Sequence, residues 1–185
     1  MIESGTPTGV ILTGGASRRM GSDKAFVVVG GRPMVVRVAD AMREAGCRAV
    51  FCQGGDSDAL AVLGFEVVPD PTPGSGPVLA IQAALERHGG PIVVAACDLA
   101  DLDAATIRTL VDASVCRTSP LVAVATTEAG PQLLSVWSSD ALAPLSTLVE
   151  QGVRAYRAAL EGLAATSVPV DPAAVRNINY PEDLG

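Results

Sequence analysis

An α/β domain with a mostly parallel sheet is the fold this sequence predicts, and three observations lead to it. Short apolar runs alternate with segments of helical periodicity. Hydrophobic residues make up 49% of the chain but aromatic residues only 3%, so the core must be built from Val, Leu, Ile and Ala, as buried parallel strands flanked by helices require. The 185 residues suit one globular domain spanning the whole chain, 1–185, with no internal repeat and no low-complexity linker.

Gly9 to Thr13 (GVILT) is a first buried strand that ends at a glycine loop. A helix is expected from Pro33, with Met34, Val38, Ala41 and Ala45 on one face and Gly46 as its stop. Arg48 to Gln53 reads as a strand, Asp56 to Leu63 as a short helix and Phe65 to Val68 as a third strand. "PDPTPGSGP", Pro69 to Pro77, excludes regular structure over most of its length and reads as a loop of fixed shape. Pro77 opens the next helix, with Val78, Ile81 and Leu85 facing inward and Gly89-Gly90 beyond its end. Ile92 to Ala96 (IVVAA) is apolar throughout, as a central parallel strand is, and runs straight into Cys97 and Asp98. Asp103 is placed to cap a helix containing Ile107, Leu110 and Val111. Leu121 to Ala125 and Leu133 to Trp137 read as two strands joined by the turn signal EAGP. A helical region from Asp140 to Glu161, broken near Gly152, precedes a last strand at Ser167 to Val170, and a helical turn is expected from Pro181.

The net charge of -7 argues against a chain that coats nucleic acid or an anionic membrane through a general basic field. Any anionic ligand must be held by a local device. No apolar run approaches the ~20 residues of a bilayer span, no secretory leader pattern is seen, and Cys47, Cys52, Cys97 and Cys116 show neither a CxxC pair nor zinc-finger spacing. The expected setting is cytoplasmic, with free thiols.

The local device is LTGGASRRMGSDKA, Leu12 to Ala25. It holds two of the chain's twelve arginines and its single lysine, Lys24. Its spacing fits neither a Walker A loop, because Lys24 is followed by Ala25, nor the dinucleotide G-x-G-x-x-G. The physics is nonetheless that of a phosphate cradle. Gly14 and Gly15 after a strand let backbone N–H groups approach an anion, Arg18 and Arg19 add bidentate contacts, and Lys24 adds a compact charge. Asp98, at the carboxyl edge of the central strand, is placed to hold Mg²⁺ against those phosphates, whereas Asp101 and Asp103 are the better caps. Asp70 comes after a strand in the same way and either orients a ribose or base or starts a turn. His88, the single histidine, reads as a solvated or C-capping residue, and there is no G-x-S-x-G elbow for a serine nucleophile.

Taken in order, Leu12-Thr13-Gly14-Gly15, Ser17-Arg18-Arg19-Met20-Gly21, Asp23-Lys24, Asp70, Gly76-Pro77, Cys97-Asp98 and NINYPEDL resemble the MobA-type molybdenum cofactor guanylyltransferases over almost the whole chain. The resemblance implies a Rossmann-like nucleotidyltransferase three-layer sandwich with a mixed sheet. It implies a reaction in which GTP and molybdopterin give molybdopterin guanine dinucleotide and pyrophosphate, with Mg²⁺ as cofactor, and transient contact with the enzymes that receive the product. Carried onto this chain, Leu12, Thr13, Gly14, Gly15, Ser17, Arg18, Lys24, Asp70 and Asp98 would bind the nucleotide. Arg19, Lys24 and Asp98 would serve the reaction, Asp98 would hold the metal, and Gly76, Asn177 and Asn179 would lie on the acceptor side. The chain departs from the family pattern at Ala80, at Leu99-Ala100-Asp101 and at Tyr180. Two alternatives stand beside this reading: a related transferase using CTP or another phosphorylated acceptor, and a nucleotide-binding protein without catalysis.

Overall fold

The computed structural model describes residues 5–14, 23–115 and 120–178. Gly15, Ser17, Arg18, Arg19, Cys116, Asn179, Tyr180 and the turn expected from Pro181 lie outside them.

Seven strands form one sheet. They are β1 (Thr8–Leu12), β4 (Val50–Gln53), β5 (Glu66–Val68), β6 (Ile92–Ala96), β7 (Val122–Thr127), β8 (Gly130–Trp137) and β9 (Thr166–Pro169), in the spatial order β5-β4-β1-β6-β8-β7-β9. All neighbours pair in parallel except β8, which runs antiparallel between β6 and β7. The carboxyl ends of β1, β4, β5 and β6 therefore share one edge, and the loops that leave them meet there. β8 begins at Gly130, three residues before the expected start, because the hairpin pairs Thr127 with Gly130 directly across the turn.

Alternation along the strands sorts the core into two faces. Ile11, Val93, Ala95, Ala123 and Ala125 point to one side, where α1 (Met34–Glu44) and α4 (Ala104–Ser114) bury Val35, Val38, Met42, Ile107 and Leu110. Val10, Leu12, Ile92, Val94, Val122, Val124 and Trp137 point to the other. There α3 (Pro77–His88), α5 (Leu142–Glu150) and α6 (Tyr156–Gly162) close the layer. This is the three-layer sandwich. Gly9 is the point of closest approach between β1 and α1, since a Cβ there would stand 2.8 Å from Met42 Sδ.

Local signals set most boundaries. Asp103 caps α4 by accepting the Thr106 N–H at 2.7 Å, and Asp56 caps α2 (Ser57–Val62) by accepting from Asp58 and Ala59. The helical region expected over Asp140 to Glu161 is two helices, α5 and α6, separated around Gly152. A small hairpin of β2 (Val28–Val29) and β3 (Arg32–Pro33) adds to the expected elements. Its Gly30-Gly31 turn, with both φ values positive, is the turn chemistry a two-residue hairpin needs. Pro33 consequently ends that hairpin and stands at the N-cap of α1 instead of inside it.

Two further features concern single residues. His88 is not the cap of α3, which is Gly89 in the left-handed conformation; half-buried, it packs its ring on Phe51 with centroids 4.7 Å apart. Burial first, and then the charges of Arg87 and Arg48, hold its pKa below the ordinary value. After α6, Ala164 adopts φ +48°, the left-handed position that usually falls to glycine just past a helix. Ala164→Gly is expected to stabilise the fold by about 0.5–1 kcal/mol by relieving that strain, read as a higher urea midpoint at unchanged m.

Candidate active site

The loops at the carboxyl edge are tied together by main-chain contacts. Thr13 and Gly14 both donate their N–H groups to Gln53 O, the Thr13 hydroxyl donates to Gly54 O at 2.7 Å, and the Gly54 N–H reaches Val68 O. Gly14 and Gly54 meet backbone to backbone, for a Cβ on Gly54 would lie 3.0 Å from Gly14 Cα. Asp70 completes this corner. Its Oδ1 accepts the Thr72 N–H and so starts a turn, while Oδ2 lies 3.5 Å from where a Gly14 Cβ would stand. The turn-starting reading of Asp70 therefore falls to Oδ1, while Oδ2 faces the exposed Gly14.

Lys24 comes to this edge on a single 3-10 turn, Lys24–Phe26, fixed by the Asp23 carboxylate accepting the Ala25 N–H and by the fully buried Ala25 methyl. Its Nζ donates to Asp98 Oδ2 at 3.0 Å, joining the end of the cradle segment to the end of β6. Both side chains are mostly buried, and Asp98 Oδ1 is shut away from solvent with no hydrogen-bond partner among the described residues. A carboxylate oxygen left so is costly unless a cation or donor belongs beside it.

That orphaned oxygen is also the test of a metal at this position. Among the described residues no three His, Cys, Asp or Glu gather into a ligand cage. Mg²⁺ does not need one, being held as a rule by one or two carboxylates together with substrate phosphates and water, so Asp98 fits the ion.

Asp98 is braced from behind. Its carbonyl accepts the Ile178 N–H at 3.1 Å, and Ile178, fully buried, packs with Met34 and Ala100. The C-terminal segment is thereby laid along the loop after β6, with Asn177 exposed beside it. Burial first, then the charges of Asp98 and Asp23, push the neighbouring Cys97 thiol up to about 12, which disfavours its thiolate.

The structure thus brings Gly14, Lys24, Asp70, Asp98 and Asn177 to one edge. Leu12 and Thr13 are buried, Leu12 in the core against α3 and Thr13 through its hydroxyl bonds, and their main chain is tied to neighbouring segments as well, Leu12 O accepting the Cys97 N–H and the Thr13 N–H donating to Gln53 O. Gly76 is exposed at the start of α3 with φ +86°. Ala80 and Ala100, two of the family departures, turn into the interior, 6% and 1% exposed. One residue the sequence pattern does not reveal is Gln53. Its Nε2 donates to Pro69 O while Oε1 is buried without a partner at the end of β4, a polar side chain where a buried strand should carry an apolar one.

Lys24, its partner Asp98 and a glycine-lined corner thus meet at the carboxyl edge of an α/β sheet, where open sheets of this kind place their ligands. Residues 9–166 match the family model described as the MobA-like NTP transferase domain, and the chain belongs to this family of nucleotidyltransferases. A relative from Pelotomaculum thermopropionicum, named probable molybdenum cofactor guanylyltransferase, is 43% identical over 93 residues, 50% of this chain and 45% of that protein. The chain thus spans under half the length of that relative. A protein of the same name from Deinococcus radiodurans is 33% identical over 182 residues, covering 96% of this chain and 91% of its own. The crystal structure of molybdopterin-guanine dinucleotide biosynthesis protein A from Archaeoglobus fulgidus superposes with a TM-score of 0.73 at 24% identity, over 96% of this chain and 94% of that one, which shows the shared fold.

Proposed function

We propose that this chain is a molybdenum cofactor guanylyltransferase, transferring GMP from GTP to molybdopterin with release of pyrophosphate. The observation that carries the reading is the Lys24–Asp98 pair, 3.0 Å apart at the shared strand edge, with an oxygen of Asp98 left unpartnered. The names of the full-length relatives supply the acceptor and the nucleotide.

In this reaction a terminal phosphate oxygen of the pterin bonds to the α-phosphorus of GTP. The bond from that phosphorus to the β-bridging oxygen breaks, and pyrophosphate leaves with the electron pair. A phosphate monoester is anionic near neutral pH, so no protein base is needed, and positioning with charge stabilisation carries the rate. Lys24 offsets charge on the α-phosphate and leaving group, Arg18 and Arg19 hold the phosphates, and Gly14, Gly15, Ser17 and Asp70 hold the nucleotide. When bound, Mg²⁺ at Asp98 supplies electrostatic stabilisation of the phosphate oxygens. Gly76, Asn177 and Asn179 would serve to bind the acceptor. Gln53 Oε1, at the same corner, is an acceptor suited to a base N–H.

A cytoplasmic setting is in keeping with Cys47, Cys52 and Cys97, all buried and free. Among the described residues no helix is long and apolar enough to cross a membrane.

The deciding experiment measures Mg²⁺-dependent pyrophosphate release from GTP and from CTP, with and without molybdopterin. Release that needs GTP and the pterin together is expected. GTP binding without acceptor-dependent release would overturn the transferase reading in favour of a non-catalytic binder, and release from CTP alone would overturn the base assignment.

A further inference from the structure

Beyond the Lys24–Asp98 pair, a second charged cluster sits behind it at Asp101. Arg176 places Nη2 at 2.9 Å and Nε at 3.2 Å from Asp101 Oδ2, while Arg37 on α1 places Nη2 at 3.7 Å from Oδ1 and donates Nε to Ala100 O at 2.7 Å. Three parts of the fold distant in sequence are joined here: α1, the loop after β6 and the C-terminal segment. The same junction contains the Ile178 N–H bond to Asp98 O and the buried contact of Ile178 with Met34 and Ala100.

We infer that Asp101 is a positioning residue, which clamps the 176–178 segment through Arg176 and so sets Asn177 at the acceptor side of the Asp98 loop; this rests on the transferase reading above. Ile178 and its backbone bond fix the height of the segment over the loop. Val175, buried in the core, holds the other end, and between these two anchors Arg176 and Asn177 are exposed, so the Arg176–Asp101 contact sets how that exposed pair lies. Arg37 holds the anvil, because its bond to Ala100 O pins the main chain on which Asp101 stands. Asp101 touches neither nucleotide nor metal in this scheme, so its removal should affect the acceptor selectively.

The test uses the full chain with Asp101→Asn, Arg176→Gln and the double substitution. Each single is expected to raise the KM for molybdopterin by up to about fivefold, the scale of a partly exposed charge pair, with the KM for GTP unchanged and the wild-type rate regained at saturating pterin. The effect of the double should fall short of the product of the two singles, because the Asp101–Arg176 contact is lost in all three. Independently of turnover, hydrogen exchange at the Ile178 amide, monitored by NMR, should quicken in both singles. An unchanged pterin KM with unchanged Ile178 exchange overturns the clamp, as does a KM for GTP that rises in parallel. Should the wild-type chain release no pyrophosphate with molybdopterin, the transferase reading fails by itself; faster exchange at Ile178 then still upholds the clamp, and unchanged exchange overturns it.

Discussion

Asp98→Asn is expected to lower kcat/KM by about 10³-fold while leaving the fold intact, the largest single effect among substitutions in this chain. The change keeps the side-chain volume, and the amide oxygen can still accept from Lys24 Nζ, now 3.0 Å away. What disappears is the negative charge and the second oxygen, the one buried without a partner. An amide N–H₂ in that place offers a donor where a cation belongs. Thermal unfolding and steady-state kinetics on one preparation check this, and a variant that keeps both its midpoint and its rate would remove Asp98 from the reaction. Raising Mg²⁺ should restore some of the loss only if the amide still ligates weakly, so a titration with the metal belongs with the rates.

Lys24→Ala should cost about 10²–10³ in turnover, with a smaller rise in the KM for GTP. An ammonium whose charge counts mainly against the developing leaving group contributes more to the transition state than to ground-state binding. Lys24→Arg should not rescue it. A planar guanidinium cannot occupy the site of a point charge held 3.0 Å from Asp98 on a short turn whose next residue, Ala25, is fully buried. Equal losses in Lys24→Ala and Lys24→Arg, with unfolding midpoints near wild type, are the expected pattern; full activity in Lys24→Arg would show that charge alone suffices.

The parts of the fold legible in the sequence are those governed by local physics. The run Ile92 to Ala96 reads as a strand buried on both faces, and of the two candidate caps, Asp101 and Asp103, it is Asp103 that stands directly before the helix beginning at Ala104. Asp98 was legible because the end of such a strand has one location in an α/β sheet. Properties that depend on a partner far along the chain were not. The packing of His88 on Phe51, the orphaned Gln53 oxygen and the Asp101–Arg176 contact each need two segments whose proximity is set by the whole sheet. The β2–β3 hairpin escapes a sequence reading for the opposite reason, being so short that its only signal is the Gly30-Gly31 pair between two dipeptides. As for the cradle itself, Gly14 and Lys24 stand where the motif puts them, while Gly15, Ser17, Arg18 and Arg19 lie outside the described residues.

The position of β1 has a consequence for how the chain is made. Of the described strands it is the first to be made, yet it is central, with β4 on one side and β6 on the other, paired from Gly9 to Val50 and from Thr8 to Ile92. During synthesis its first neighbour arrives only when residues 50–53 have emerged, and its second only after Ala96. Until then an apolar strand has an open flank and no competitor from the same chain to cover it. The half of the sheet that carries the candidate active site therefore closes around β1 only when β6 has emerged, before β7, β8 and β9 are made, and Lys24 and Asp98 can meet only after that.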